Sequence, residues 1–145
     1  MNDQSKEAGK AAGAPVKLGL KKKSILMLED ETALSAELTP YFEHCGFKLV
    51  CVTNGVDGLK QIIANDFTVI VCDMMMPNLP GDMFYRAVER TKPSHCQRFI
   101  FITGYKGNEH IEDFIRKVHG TVLWKPFATQ QLMDAIQGVI RKTGG

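Results

Sequence analysis

Five short apolar runs, each followed by a stretch with helical spacing, constrain this chain more than any other feature. Residues 24–28, 47–52, 67–72, 98–103 and 121–124 read as strands. Residues 32–45, 55–64, a stretch that follows the Pro77, Pro80 and Gly81 loop and runs to about 90, 108–119 and 129–141 read as helices. In the first helix Leu34, Leu38 and Phe42 recur at spacing four, and Gly46 ends it as a C-terminal glycine should. Asn54 caps the second, where Val56, Leu59, Ile62 and Ile63 are expected to share one buried stripe. Ile111, Phe114, Ile115 and Val118 follow the i, i+3, i+4, i+7 pattern in the fourth. One local conflict stands out. Pro40 falls inside the first helix, where an ideal helix loses ~3 kcal/mol, so a kink or an early break is expected there.

Strict alternation of strand and helix argues for an α/β domain, a parallel sheet covered on both faces. The runs Ile25-Leu26-Met27-Leu28, Val69-Ile70-Val71 and Phe99-Ile100-Phe101-Ile102 are continuously apolar, as central strands must be. Phe47-Lys48-Leu49 carries a charge, and the run 121–124 is short, so these two belong at the edges. Right-handed crossovers then give a flavodoxin-like (βα)5 doubly wound sheet in the order 2-1-3-4-5.

Composition supports one domain. The chain has 145 residues with 44% hydrophobic and 23% charged, and no apolar run approaches the ~20 residues of a membrane helix. The charge is uneven. Residues 1–23 hold six lysines against Asp3 and Glu7, while the remainder carries 12 basic and 14 acidic residues. Residues 1–21 therefore read as a disordered basic tail and 22–145 as the folded domain. Lys21, Lys22 and Lys23 read as a solvated lead-in rather than a nucleic-acid arm. Cys45, Cys51, Cys72 and Cys96 form no CxxC pair, and Cys51 and Cys72 sit in apolar runs. Reduced, buried thiols in a cytoplasmic protein are expected, with no zinc site and no membrane segment.

Chemistry gathers where the apolar runs stop. Glu29, Asp30 and Glu31 follow the first strand, Asp73 ends the third, Thr103 ends the fourth and Lys125 follows the fifth. In a parallel sheet those positions share the edge at which ligands bind. Clustered carboxylates repel one another and call for a divalent cation, and oxygen-only ligands favour Mg2+. With Lys125 and the Thr103 hydroxyl, the set suits a metal and an incoming phosphoryl group, with Asp73 as the central nucleophile. The same acidic loop would repel the phosphate that a nucleotide- or flavin-binding fold cradles after its first strand.

These residues resemble a known family. Leu28-Glu29-Asp30-Glu31, the run from Val71 to Pro77 with Gly81, Thr103, and Trp124-Lys125-Pro126-Phe127 look like the receiver domain of bacterial two-component response regulators, in a stand-alone or hybrid-kinase version. The resemblance implies that Asp73 accepts the phosphoryl group from a partner histidine kinase or histidine phosphotransfer protein. It makes Asp30 and Asp73 direct Mg2+ ligands, Glu29 a supporting one, and Met75 a ligand through its backbone carbonyl. Thr103 becomes the switch hydroxyl and Lys125 the phosphate-binding lysine, with a cis bond before Pro126. It implies a cytoplasmic monomer that signals by changing its interaction surface, not a metabolic enzyme.

Two departures qualify it, and two rival readings are weighed against it. Val122 stands where the family carries an aromatic switch residue, so Tyr105 in the loop 104–108 is expected to report the state instead. Ala128 replaces a capping side chain, so the last helix should start at Thr129. A phosphohydrolase of the haloacid-dehalogenase type would need an acid two residues after the nucleophile, and Met75 is there. A pure interaction domain, the remaining alternative, would have no need of the intact acidic, hydroxyl and lysine set.

Overall fold

The computed structural model describes residues 23–104 and 108–144. The expectations for the N-terminal tail and for Tyr105 fall outside those residues. Five parallel strands are formed by β1 (Lys23–Leu28), β2 (Phe47–Val52), β3 (Val69–Asp73), β4 (Phe99–Thr103) and β5 (Thr121–Trp124). Their order is β2-β1-β3-β4-β5, so the charged run and the short run are indeed the edges. Between them lie α1 (Thr32–His44), α2 (Gly55–Ala64), α3 (Gly81–Thr91) and α4 (Glu109–Val118), and α5 (Thr129–Thr143) closes the chain. β1, β3 and β4 alternate their side chains between two buried layers. One layer joins Leu26, Ile70 and Phe101 to α2, α3 and α4, and the other joins Ile25, Val71 and Ile100 to α1 and α5. No helix among the described residues is long and apolar enough to cross a membrane.

Several local expectations are corrected. α1 does not break at Pro40 but runs on to His44. Ala36, whose carbonyl loses its helical donor to the proline, is exposed, so its carbonyl is open to solvent in place of that donor. Gly46 then takes φ 93°, the left-handed conformation that turns the chain into β2. In α2 only Ile62 of the expected apolar stripe is buried, Leu59 is partly so, and Val56 and Ile63 stand exposed. The buried face is instead Gly55, Gly58 and Ile62, because a Cβ at Gly58 would lie 2.6 Å from Leu28 Cδ2. The glycines let the helix sit close and so rotate its apolar stripe partly into solvent. Cys51 is exposed on edge strand β2, as is Cys45, while Cys72 is buried. Burial, with the nearby Asp73 charge, pushes the Cys72 thiol far above its ordinary range, so it is unreactive.

The strand expected from Phe67 begins only at Val69, and a 3-10 segment, Pro93–Arg98, precedes β4. Both follow from His95, which is 1% exposed. Its Nε2 accepts from the Phe67 N–H at 3.1 Å, and its Nδ1 lies 3.3 Å from Ser94 Oγ. An accepting Nε2 requires a neutral ring protonated at Nδ1. Arg98 donates to the Phe67 carbonyl at 2.7 Å, and Lys92 ties the end of α2 by donating to the Ile62 and Asn65 carbonyls. Burial, with the Arg98 and Lys92 charges, lowers the His95 pKa from 6.5 to about 4, and Asp66 opposes this weakly.

The sign of the linkage follows. The unfolded chain binds the proton first, so this contribution to stability is full above pH 6.5 and is lost as pH falls toward 4. The loss reaches roughly 3 kcal/mol. Urea melts at about pH 7 and about pH 4.5 should show it in the wild type and show a reduced loss in His95→Gln, whose amide oxygen still accepts from Phe67. Equal losses in both proteins would remove His95 from the account.

Candidate functional site

The site lies at the carboxyl ends of the central strands, where the ladder stops but the chain stays ordered. Past β1, the Glu29 N–H still donates to the Val52 carbonyl at 3.0 Å. Glu29 is therefore held in the sheet and is 1% exposed, Asp30 turns to the surface, and Glu31 takes the N-cap position of α1 without a side-chain capping bond. β3 ends in Asp73, which is 5% exposed, and the Met74 N–H carries the pairing one step further to Ile102. β4 ends in the fully buried Thr103, which pairs in register with Trp124. The Lys125 N–H then donates to the Thr103 carbonyl at 2.9 Å. The Lys125–Pro126 bond is cis, and α5 starts at Thr129, as expected. In place of a side-chain cap, the Gln131 side chain accepts from the Ala128 N–H.

These strand ends converge. Carboxylate oxygens of Glu29, Asp30 and Asp73 all lie within 4.8 Å of one another. Lys125 Nζ stands 3.0 Å from Glu29 Oε1 and donates to Asp73 Oδ2 at 3.2 Å. The other Asp73 oxygen, Oδ1, accepts from the Met75 N–H at 3.0 Å. Both oxygens of Asp73 are thus oriented before any ligand arrives. Met75 itself is 47% exposed at the mouth. Gly81 closes the loop behind it. Its N–H donates to the Met74 carbonyl, and a Cβ there would lie 2.9 Å from Met74 Cα.

The electrostatics are unbalanced. Burial first, and the Asp73 charge with it, push Glu29 up to about 7, although Lys125 and the Glu31 N–H pull the other way. Glu29 Oε2 accepts from the Glu31 N–H at 3.1 Å, but Oε1 is buried with no directed hydrogen bond. The Lys125 ammonium at 3.0 Å compensates its charge. A buried carboxylate oxygen in that condition is costly unless a further cation serves it. Against the effect of burial, the Glu29 and Asp73 carboxylates hold Lys125 above the usual lysine range.

Of the residues singled out from sequence, Glu29, Asp30, Asp73 and Lys125 form this one cluster, Thr103 lies buried at the adjoining strand end, and Met75 flanks Asp73. Val122 is half-buried and packs against the core layer shared with α4. Glu31, named among the acids after the first strand but given no role there, has its Oε1 3.7 Å from Lys125 Nζ. The signal was present in the unbroken run Glu29-Asp30-Glu31.

Comparison with known proteins agrees with this geometry. The family model of the response regulator receiver domain matches residues 25–137. The sensor kinase CckA of Brucella abortus is 24% identical over 121 residues, covering 82% of this chain and 13% of that protein. The transcriptional regulatory protein CrdR of Helicobacter pylori is 24% identical over 115 residues, covering 79% of this chain and 54% of that protein. The chain therefore spans about half or less of these curated relatives. Among solved structures, a CheY-like response regulator receiver domain protein from Methanospirillum hungatei superposes with a TM-score of 0.77 at 21% identity, covering 86% of this chain and 98% of that one. Motif order, sheet topology and the family match over most of its length agree: this chain belongs to the response regulator receiver domain family.

Proposed function

We propose that this domain accepts a phosphoryl group on Asp73, in a Mg2+-dependent reaction, from a phosphohistidine on a partner kinase or phosphotransfer protein. The single observation that carries the reading is the state of Asp73. It is a nearly buried carboxylate with one oxygen held by a backbone N–H and the other by the Lys125 ammonium, at the mouth of an acidic cluster. A carboxylate oriented in this way attacks phosphorus in line. The new O–P bond forms as the P–N bond to the donor imidazole breaks, and the imidazole leaves with the electron pair.

The donor set fits Mg2+. Its ligands are oxygens, it is rich in charge, and Glu29 carries a buried oxygen without a directed hydrogen bond. Asp30 and Asp73 would hold the ion directly, with the Met75 carbonyl, and Glu29 would support it. When bound, Mg2+ neutralises charge on the transferring group. Lys125, which donates to Asp73, would pass to an oxygen of the new phosphoryl group, and the Thr103 hydroxyl would donate a second bond. The domain so read spans residues 22–145, acts in the cytoplasm as a monomer, and carries a signal rather than turning over a metabolite.

Calorimetric titration with Mg2+ tests the metal half of the reading. Asp30→Ala removes a direct anionic ligand and should weaken Mg2+ binding at least tenfold, about 1.4 kcal/mol or more. Unchanged affinity in that variant would move the ion elsewhere.

A further inference from the structure

The flank of α4 that faces α3 holds a feature unrelated to the phosphoryl-acceptor cluster. A groove of about 570 Å³ runs between the two helices. Each wall is a stripe at helical spacing i, i+3, i+4, i+7. On α3 these are Met83, Arg86, Ala87 and Arg90, and on α4 His110, Asp113, Phe114 and Lys117. The matched stripes make the groove about 10 Å long, two helical turns. At one end His110 bridges to Asp82 at 2.8 Å, which sets the two helix N-termini side by side.

Its surface is graded. Its exposed apolar surface is Met83, 55% exposed beside the His110 end, with half-buried Ala87 one turn further on, while the Phe114 ring lies buried beneath the Arg86 guanidinium at 5.5 Å. The acids on the walls already have partners, Asp82 in His110 and Asp113 in Arg116. Arg86 pairs with Glu89. At the far end Arg90 and Lys117 remain, and neither has an ion-pair partner among the described residues. The groove therefore offers apolar contact at Met83 and Ala87 and uncompensated positive charge at the carboxyl ends of α3 and α4.

The geometry points to this groove as a docking site for an amphipathic helical segment of a partner protein. That segment would carry carboxylates in its first turn and apolar side chains one turn further on. Charge complementarity fixes the class, because Arg90 and Lys117 take carboxylates while Met83 and Ala87 take the apolar face. The same charges fix the direction. Acidic residues are favoured at a helix N-terminus, and that positive end meets the negative ends of α3 and α4 only if the segment lies antiparallel to them. The proposal stands whether or not Asp73 takes a phosphoryl group.

The test is amide-shift mapping on the full chain with a defined probe. The probe is an alanine-based helical peptide of about 16 residues, with two glutamates in its first turn, two leucines at i and i+4, and a nitroxide at its N-terminus. Shifts are expected at Met83, Ala87 and Phe114, with broadening strongest near Arg90 and Lys117. Replacing the glutamates by lysine, or the leucines by serine, should weaken binding at least tenfold. The variant Arg90→Gln with Lys117→Gln should do the same while leaving the amide shifts of β1 and β3 unchanged. Four results would overturn the proposal. They are no shift at millimolar peptide, shifts confined to other faces, equal affinity for the lysine peptide, or concentration-dependent shifts without peptide, which would give the groove to a second copy of this chain.

Discussion

Asp73→Asn is expected to gain no mass from a small phosphodonor, the largest functional effect available from a single substitution. An asparagine keeps the shape and one acceptor oxygen, so the Met75 N–H at Oδ1 can stay satisfied. It removes the anionic oxygen that must form the bond to phosphorus. It also removes one of the carboxylates around Lys125, leaving Glu29 at 3.0 Å and Glu31 at 3.7 Å. The fold should survive, because a neutral amide in an over-acidic cluster relieves repulsion. Intact-mass spectrometry reads the result, and circular dichroism confirms that the variant is folded. Labelling at the wild-type level would give the acceptor role to another residue.

The largest structural effect is expected at Phe101. This ring is fully buried at the centre of β4, stacked on Phe99 at 5.3 Å and edge-on to Phe114 at 5.4 Å, with Tyr85 at 5.8 Å. Gly120 leaves room for it, since a Cβ there would lie 2.6 Å from its Cε2. Phe101→Ala removes the apolar area and leaves a cavity walled by stiff rings that cannot collapse to fill it. The cost should be about 3–5 kcal/mol, a large part of the ~5–15 kcal/mol that holds a domain of this size. Because β4 delivers Thr103 to the site, phosphoryl acceptance should fall with it. Urea denaturation measures the loss, and a cost below about 1 kcal/mol would mean that the layer repacks freely.

The parts legible in the sequence were those encoded by local repetition. Continuous apolar runs identified β1, β3 and β4 as central because a strand covered on both faces has no polar alternation. The site was legible for a related reason. Glu29, Asp73, Thr103 and Lys125 each mark the point where an apolar run stops, and the parallel topology brings those points together. What depended on pairs distant in sequence was hidden. The late start of β3 and the 3-10 segment both follow from one hydrogen bond between Phe67 and His95, 28 residues apart. Neither partner has a local signature. The face buried by α2 was misjudged because periodicity counts apolar side chains, whereas close packing against Leu28 selected Gly58 for lacking one. The intrinsic cost of Pro40 is visible in the sequence, whereas the packing of Leu38 and Phe42 that accompanies the continuation of α1 to His44 is not.

The central claim is that Asp73 takes up one phosphoryl group with the help of a divalent cation held beside it. Its most direct test is the intact mass of the wild-type chain after incubation with phosphoramidate, with Mg2+ and with the metal chelated. A gain of one phosphoryl group that requires Mg2+, and that peptide mapping locates at Asp73, is the expected result. No gain under either condition, or a gain equal in both, would contradict it.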